Sequence, residues 1–444
     1  VDHSPDPNDQ HRKRILIAAF LAWMFAGLEN SLFILIHRQM MLELLGPGTA
    51  EKVVAEWFAW FQAAFLLGAA AGGWLFGAMG DRLGRTRAMG LSVACYSGLT
   101  LSCYWIEDPH LMWIVRFLAC LGFGGSWPNA VALVSEAWPS ASRPLMAGVM
   151  GTAANFGFVL MGVVGYSFAI TGDNWRWTLF IGGSPLLLAA WILLGVPESR
   201  KWLNARVAAT SQSAVKAPVI EVFQRPLLYR TLLGISLGAI PVVGTAANAN
   251  WIVPWTDQYE SRSAAASVDD SQLTKNTAAS GKSRKADPRK KALAQIQRSS
   301  GAIFGSLLGG FIASVVGRRL SYFLISLGTF VASSILFTQL NPHHHLFPYA
   351  TFALGFFGVT YFGWLPLFLP ELFPTRVRST GTGISFNTGR VIAAMVVLLA
   401  AFRMDRFEGD YAKVGFWSGM IYVVGMIIIW LAPRHDDQTS EIAR

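Results

Sequence analysis

GAMGDRLGRTR, Gly77–Arg87, packs Asp81, Arg82, Arg85 and Arg87 together with Gly77, Gly80 and Gly84 into one short turn between two long apolar runs. The flanking runs, Trp57–Met79 and Arg87–Trp105, each approach the about twenty helical residues needed to cross a hydrocarbon core of about 30 Å. Charge gathered between two such runs marks the point where a chain leaves the bilayer and turns back into it. The whole composition agrees: 444 residues, 53% hydrophobic, 14% charged and a mean hydropathy of +0.41 describe a chain too apolar for a water-soluble globule. It is read as an integral membrane protein whose surroundings are the lipid bilayer.

Outward from that turn, twelve spans are predicted. The first half holds Ile15–Ile36, Trp57–Met79, Arg87–Trp105, Leu111–Val134, Leu145–Ile170 and Trp177–Val196. The second holds Thr231–Trp255, Ser300–Val316, Leu320–Leu340, Leu346–Leu369, Thr380–Phe402 and Val414–Leu431. The first run is too long for a signal-peptide core and carries Glu29, so it is expected to remain as a span. Arg12, Lys13, Arg14, Arg82, Arg85, Arg143, Arg200, Lys201, Arg318, Arg319, Arg376, Arg378 and Arg434 fall in segments on one side, which predicts cytoplasmic termini and a bacterial inner membrane. The net charge of +10 therefore speaks for topology and not for nucleic acid.

The polar stretch Asp257–Arg298 counts as an external loop. Its Ser/Ala-rich composition predicts a solvated insertion with a short helix near Arg289–Arg298, and binding of an anionic partner is the alternative. Cys95, Cys103 and Cys120 lie in spans and read as packed side chains, and His343–His345 read as a solvated loop. No cofactor or metal is expected, and no nucleotide-binding or nucleophile motif supports an enzyme.

The chain repeats once. EAWPSASR (Glu136–Arg143) and ELFPTRVR (Glu371–Arg378) share E-x-x-P-x-x-x-R 235 residues apart, and Gly77 and Gly84 meet Gly310 and Gly317 at an offset of 233. This predicts an all-α membrane fold of two pseudo-symmetric six-helix bundles, residues 1–197 and 231–444, joined by a cytoplasmic linker at 198–230. Such parallel halves place a substrate site between them near midplane. In the second copy Ser314 stands where Asp81 stands in the first.

These residues carry a family resemblance. GAMGDRLGRTR resembles the G-x-x-x-D-R-x-G-R-R/K loop of the major facilitator superfamily, and RFLACLGFGG its fourth-helix Arg/Gly motif. VPESRKWL is similar to the P-E-S-x-R-W-L that closes the first half of its sugar porters. STGTGISFNTGR (Ser379–Arg390) resembles the eleventh span of the sialate and carboxylate:proton symporters. AGLENSLF (Ala26–Phe33) is similar to the D-G-x-D of related acid symporters, with Ala26 and Glu29 in place of the two acids. The resemblance implies a monomeric secondary transporter working by alternating access on a small-molecule substrate, with protons as the coupled ion. An organic anion such as sialic acid is the expected substrate, a sugar or polyol the alternative, and a transporter-like sensor or scaffold the reading outside transport.

Individual residues then take expected roles. Asp81 with Arg85 and the neighbouring Gly77, Arg82 and Gly84 would form a charge cluster holding the halves together on the cytoplasmic side, with Glu136, Arg143, Arg318, Arg319, Glu371 and Arg378 as further gate residues. The plainer reading makes these arginines topology signals only. Glu29 is a costly acid inside a span. At about 1.5 Å per residue it lies about 21 Å from the inner edge, and Arg116 about 22 Å, so the two are matched in depth. With the first and fourth spans adjacent, as the resemblance implies, they form a proton-coupling pair or, alternatively, a static ion pair. Asn387 and Arg390 share a helix face, and Arg390 is suited to a substrate carboxylate or to an acid elsewhere in the chain. Gln62, Asn155, Asn248, Asn250, Tyr361 and Trp364 complete the expected cavity lining.

Overall fold

A segment surrounded by lipid has to satisfy its backbone polar groups internally, and this chain does so with helices throughout. The computed structural model describes residues 7–137, 143–209, 220–273, 286–374 and 377–433. The helices are α1 (Pro7–Leu45), α2 (Glu51–Leu83), α3 (Arg85–Ser102), α4 (Pro109–Ala137), α5 (Arg143–Ser167), α6 (Thr178–Gly183), α7 (Pro185–Gly195) and α8 (Arg200–Ala209). They continue with α9 (Leu227–Val243), α10 (Ile252–Leu273), α11 (Arg289–Val316), α12 (Arg318–Gln339), α13 (Phe347–Glu371), α14 (Arg378–Phe402), α15 (Tyr411–Ser418) and α16 (Ile421–Ile428).

Among the described residues, 11 helices are long and apolar enough to cross a membrane, with α6–α7, α9–α10 and α15–α16 each running on as one span. The twelfth span is α3. Its polarity comes from residues such as Ser92 and Ser97, whose hydroxyls donate back to Ala88 O at 2.8 Å and Val93 O at 2.6 Å. With its hydroxyls thus engaged, α3 packs between α4 and α7.

The first half joins α1 to α5 and α2 to α4. The second joins α11 to α13, α9 to α14 and α12 to α13 and α16. The broadest contacts between the halves are α2 with α14 and α5 with α11, and α1 also meets α10. Small residues allow the closest approaches, as membrane helices require. A Cβ on Gly72 would stand 1.9 Å from Leu121 O, and one on Gly124 2.0 Å from Ala69 O. Gly84 (φ +110°) and Gly317 (φ +88°) make the sharp α2–α3 and α11–α12 turns at equivalent places in the two halves. The face on which α1 begins is termed the termini face below, and the opposite one the far face.

For the described residues of Asp257–Arg298 the reading as a solvated loop is corrected, while the helix expected near Arg289–Arg298 is present and 274–285 lie outside the described residues. The seventh span runs on as α10 to Leu273 and the eighth begins as α11 at Arg289. Asp257, Gln258, Glu260, Lys291, Gln295 and Arg298 are all buried. The polar side chains lower the local hydropathy without bringing the helix out of the protein, because they meet one another and the first half.

Candidate functional site

The centre of the molecule is built from charges that the lipid would not accept. Glu29, on α1, is fully buried and contacts Arg116 Nη1 of α4. Thr100 Oγ1 donates to the same carboxylate oxygen, Oε1, at 2.8 Å. Arg116 is itself buried, donates to Asn30 Oδ1 at 3.1 Å and stacks its guanidinium 4.1 Å from the Phe33 ring centre. Glu29 Oε2 has no hydrogen-bond partner among the described residues. Protonation of this carboxylate would remove the charge that holds Arg116. A cavity of about 10 Å³ beside Arg116, lined also by Asn30, His37 and Gln62, is at the lower limit for one water.

A second polar string crosses between the halves. Arg298 Nη1 of α11 donates to Asn250 Oδ1 at 2.7 Å, and Asn250 Nδ2 donates to Gln62 Oε1 of α2 at 3.2 Å. The Arg298 guanidinium also lies 5.3 Å from the Phe158 ring of α5. Asn250 reaches Gln62 because the seventh span is irregular here. A π-helical turn at Gly244–Asn248 and a 3₁₀ turn at Ala249–Trp251 separate α9 from α10. Sequence reading placed Arg298 at the end of a loop, and only its position three residues before Gly301 in an apolar run hinted otherwise.

The other expected lining residues divide. Arg390 is half-buried on α14, donates to Ala69 O of α2 at 3.1 Å and to Asn387 Oδ1 at 3.4 Å, and faces Phe386. The acid that would have paired with it is absent among the described residues. Asn155 is half-buried on α5 without a hydrogen-bond partner among the described residues. Asn248, Tyr361 and Trp364 are corrected from lining to core. Asn248 Nδ2 donates to Ser333 Oγ at 2.8 Å, Tyr361 OH to Ser326 Oγ at 2.8 Å and Trp364 Nε1 to Ser321 Oγ at 2.9 Å. Each pins its own span to α12.

At the termini face, Arg85 Nη1 bonds Asp81 Oδ1 at 2.5 Å and Arg85 Nε lies 3.4 Å from Glu136 Oε1. Glu198, from VPESRKWL, accepts from Thr86 N at 3.1 Å and so caps α3. In the second half Arg318 grips Glu371 through two bonds of 2.7 and 3.2 Å, and Arg319 donates to Ala432 O. Arg82 is exposed beside Gly84, Ser314 bonds only Phe311 O of its own helix, and the side chains of Arg143 and Arg378 lie outside the described residues. Among the described residues these pairs each stay within one half, so the expectation of a cluster tying the halves together here does not describe this conformation. Asp81→Asn is expected to slow transport severalfold while substrate affinity stays at the parent value. Flux through reconstituted protein checks this, and an unchanged rate would remove Asp81 from the cycle.

Charge joins the halves at the far face instead. Arg38 of α1 binds Glu51 of α2, reaches Asp257 Oδ2 of α10 at 3.6 Å and donates to Ser261 Oγ at 3.1 Å. Gln39 Nε2 donates to both Asp257 oxygens at 3.1 and 3.0 Å, and Lys291 Nζ stands 3.4 Å from Oδ1. Tyr411 OH donates to Glu51 Oε2 at 3.3 Å. Beside this, Glu260 meets Lys290 at 2.9 Å and His343, which is therefore no free loop histidine. Phe58, Trp251 and Tyr411 pack edge to face beneath, with ring centres 4.7 and 5.2 Å apart.

Two six-helix bundles with ionisable groups held between them at midplane, and closed by polar contacts at one face, have the architecture of a secondary transporter. The chain belongs to the Major Facilitator Superfamily, whose family model matches residues 14–266. Among its relatives, the sialic acid transporter NanX of Escherichia coli is 23% identical over 88% of this chain and 87% of its own length. The cis,cis-muconate transport protein of Acinetobacter baylyi is 24% identical over 84% and 85%. A crystal structure of a D-xylose-proton symporter superposes with a TM-score of 0.69 at 17% identity, covering 94% of this chain and 97% of the other. The protein is a membrane transporter of small molecules and not an enzyme.

Proposed function

We propose that this transporter takes up a small organic anion bearing a carboxylate, driven by protons that load onto Glu29. The observation that carries the anion reading is the imbalance of charge at the centre. Arg116, Arg298 and Arg390 bring three guanidinium groups, and among the described residues Glu29 is the one carboxylate that contacts any of them. Buried cation in excess of buried anion favours a ligand that brings negative charge over a neutral sugar. Sialic acid and cis,cis-muconate, named for the two relatives above, both carry carboxylates. The sugar-porter likeness of VPESRKWL weighs little on substrate, since Glu198 acts as a helix cap far from the centre.

In this reading the termini face is cytoplasmic, following the distribution of Lys and Arg, and the membrane is a bacterial inner membrane. The protein works as a monomer. Residues 1–197 and 231–444 move as the two halves about the linker 198–230, with Glu29 and Arg116 as the coupling pair.

Uptake into proteoliposomes under an imposed pH gradient, acidic outside, tests the reading. Labelled sialic acid or cis,cis-muconate is expected to accumulate above equilibrium and to collapse with a protonophore. Accumulation of D-xylose, unaffected by an excess of either acid, would overturn it.

A further inference from the structure

We propose that Arg298 is the counter-charge for the substrate carboxylate, and that substrate binds by displacing the Asn250 amide oxygen from it. The inference rests on the organic-anion reading above and names the residue within it.

Three arginines are candidates, and their donors are committed differently. Arg116 is held by Glu29 and by Asn30. Arg390 turns to a backbone carbonyl of α2 and to Asn387 on its own helix. Arg298 is 6% exposed, and among the described residues its one hydrogen bond goes to the neutral Asn250 amide. A guanidinium has five N–H donors in a planar fork, so most of its capacity is unused in a place where an unpaired cation is costly. A carboxylate is the stronger acceptor and takes two of those donors side by side, where the amide oxygen takes one. The Phe158 ring, its centre 5.3 Å from the guanidinium carbon, takes no hydrogen-bond donor from it and leaves the donors for a carboxylate.

The displaced residue is the one that ties the halves. Asn250 hands its amide nitrogen to Gln62 of α2 while its oxygen occupies Arg298. A carboxylate on Arg298 deprives Asn250 of its anchor and loosens the Gln62 contact, so occupancy is communicated to the interface between α2 and the seventh span. Gln62 lies about three turns from the far-face end of α2 and Arg298 about two and a half turns from that of α11, so the string sits in the interior of the spans.

The test uses the full chain in lipid nanodiscs, with sialic acid and cis,cis-muconate as probes, each measured against its own amide. The parent chain is expected to bind at least one acid in preference to its amide. If it binds neither acid better than the amide, the organic-anion reading fails and this inference with it. Given that preference, Arg298→Lys is expected to weaken the acid about tenfold to hundredfold and the amide little, a larger loss than Arg390→Lys causes. Asn250→Ala is expected to tighten the acid about threefold to tenfold by removing the competitor, a gain that mere structural damage would not give. If Arg298→Lys keeps the parent's preference for acid, or Asn250→Ala weakens acid binding, Arg298 is not the counter-charge and the organic-anion reading stands without it. Should Arg298→Lys fail to fold, the direction of the Asn250→Ala shift decides alone.

Discussion

Glu29→Gln is expected to abolish uphill accumulation, bringing the inside-to-outside ratio of substrate down to about one, while exchange of labelled for unlabelled substrate continues within about threefold of the parent rate. The amide has nearly the shape of the protonated acid, and its oxygen can still accept from Arg116 and Thr100, the two groups that meet Glu29 Oε1. What it lacks is the cycle between charged and neutral forms. Leaving a buried cation without its anion costs about 3–5 kcal/mol in the general case. Here Asn30 at 3.1 Å and the face of Phe33 at 4.1 Å share the load on Arg116, so insertion and substrate exchange survive. A static ion pair predicts the converse, a less stable protein that still accumulates substrate. Measuring accumulation and counterflow on one proteoliposome preparation separates the two, and normal accumulation would exclude Glu29 as the proton carrier.

The second large effect belongs to Asp257. This one carboxylate serves Arg38 at 3.6 Å, Lys291 at 3.4 Å and Gln39, and Lys291 is 2% exposed. Asp257→Ala leaves Lys291 without its carboxylate in a closed, nearly dry interface, beside an Arg38 that keeps Glu51. The cost of about 3–5 kcal/mol falls on the conformation in which the far face is sealed, and it vanishes when the face opens and water reaches Lys291. Closure should therefore weaken by about a hundredfold or more. A cysteine placed at Ser261, next to Arg38, reports this through its reaction with a membrane-impermeant thiol reagent, since the native Cys95, Cys103 and Cys120 lie in α3, its end and α4. Adding Lys291→Met to Asp257→Ala should restore most of the protection, because the stranded charge is gone. Equal labelling in all variants would mean that the aromatic cluster below, and not the ion cluster, keeps the far face shut.

How far the sequence carried the reader depends on whether partners share a local pattern or meet only in three dimensions. The turn at Gly77–Arg87 and the spans on either side are local matters of hydropathy and charge, and the structure follows them. Glu29 and Arg116 were matched by counting residues along spans, because depth in a bilayer is a one-dimensional coordinate. Asp257, Lys291 and Arg298 escaped for the opposite reason. Their charges are compensated by Arg38, by one another or by Asn250, at separations in sequence that no window averages over, so a buried network reads as a hydrophilic loop. Tyr361 and Trp364 misled because three residues apart on one face fits a cavity wall and a packed core equally well. Their bonds to Ser326 and Ser321 belong to the core.

The π-helical turn at Gly244–Asn248 lets the seventh span carry one residue more than a regular helix of the same register. A regular helix advances about 100° per residue, and a turn closed by wider hydrogen bonds absorbs one extra residue without rotating what lies on either side. Replacing a residue in that turn changes a side chain and leaves the flanks aligned. Deleting one would close the wide turn to ordinary helix and leave Asn250 on Gln62 and Trp251 on Phe58. A relative one residue shorter at 244–248 could thus run as ordinary helix there and still hold Asn250 between Gln62 and Arg298.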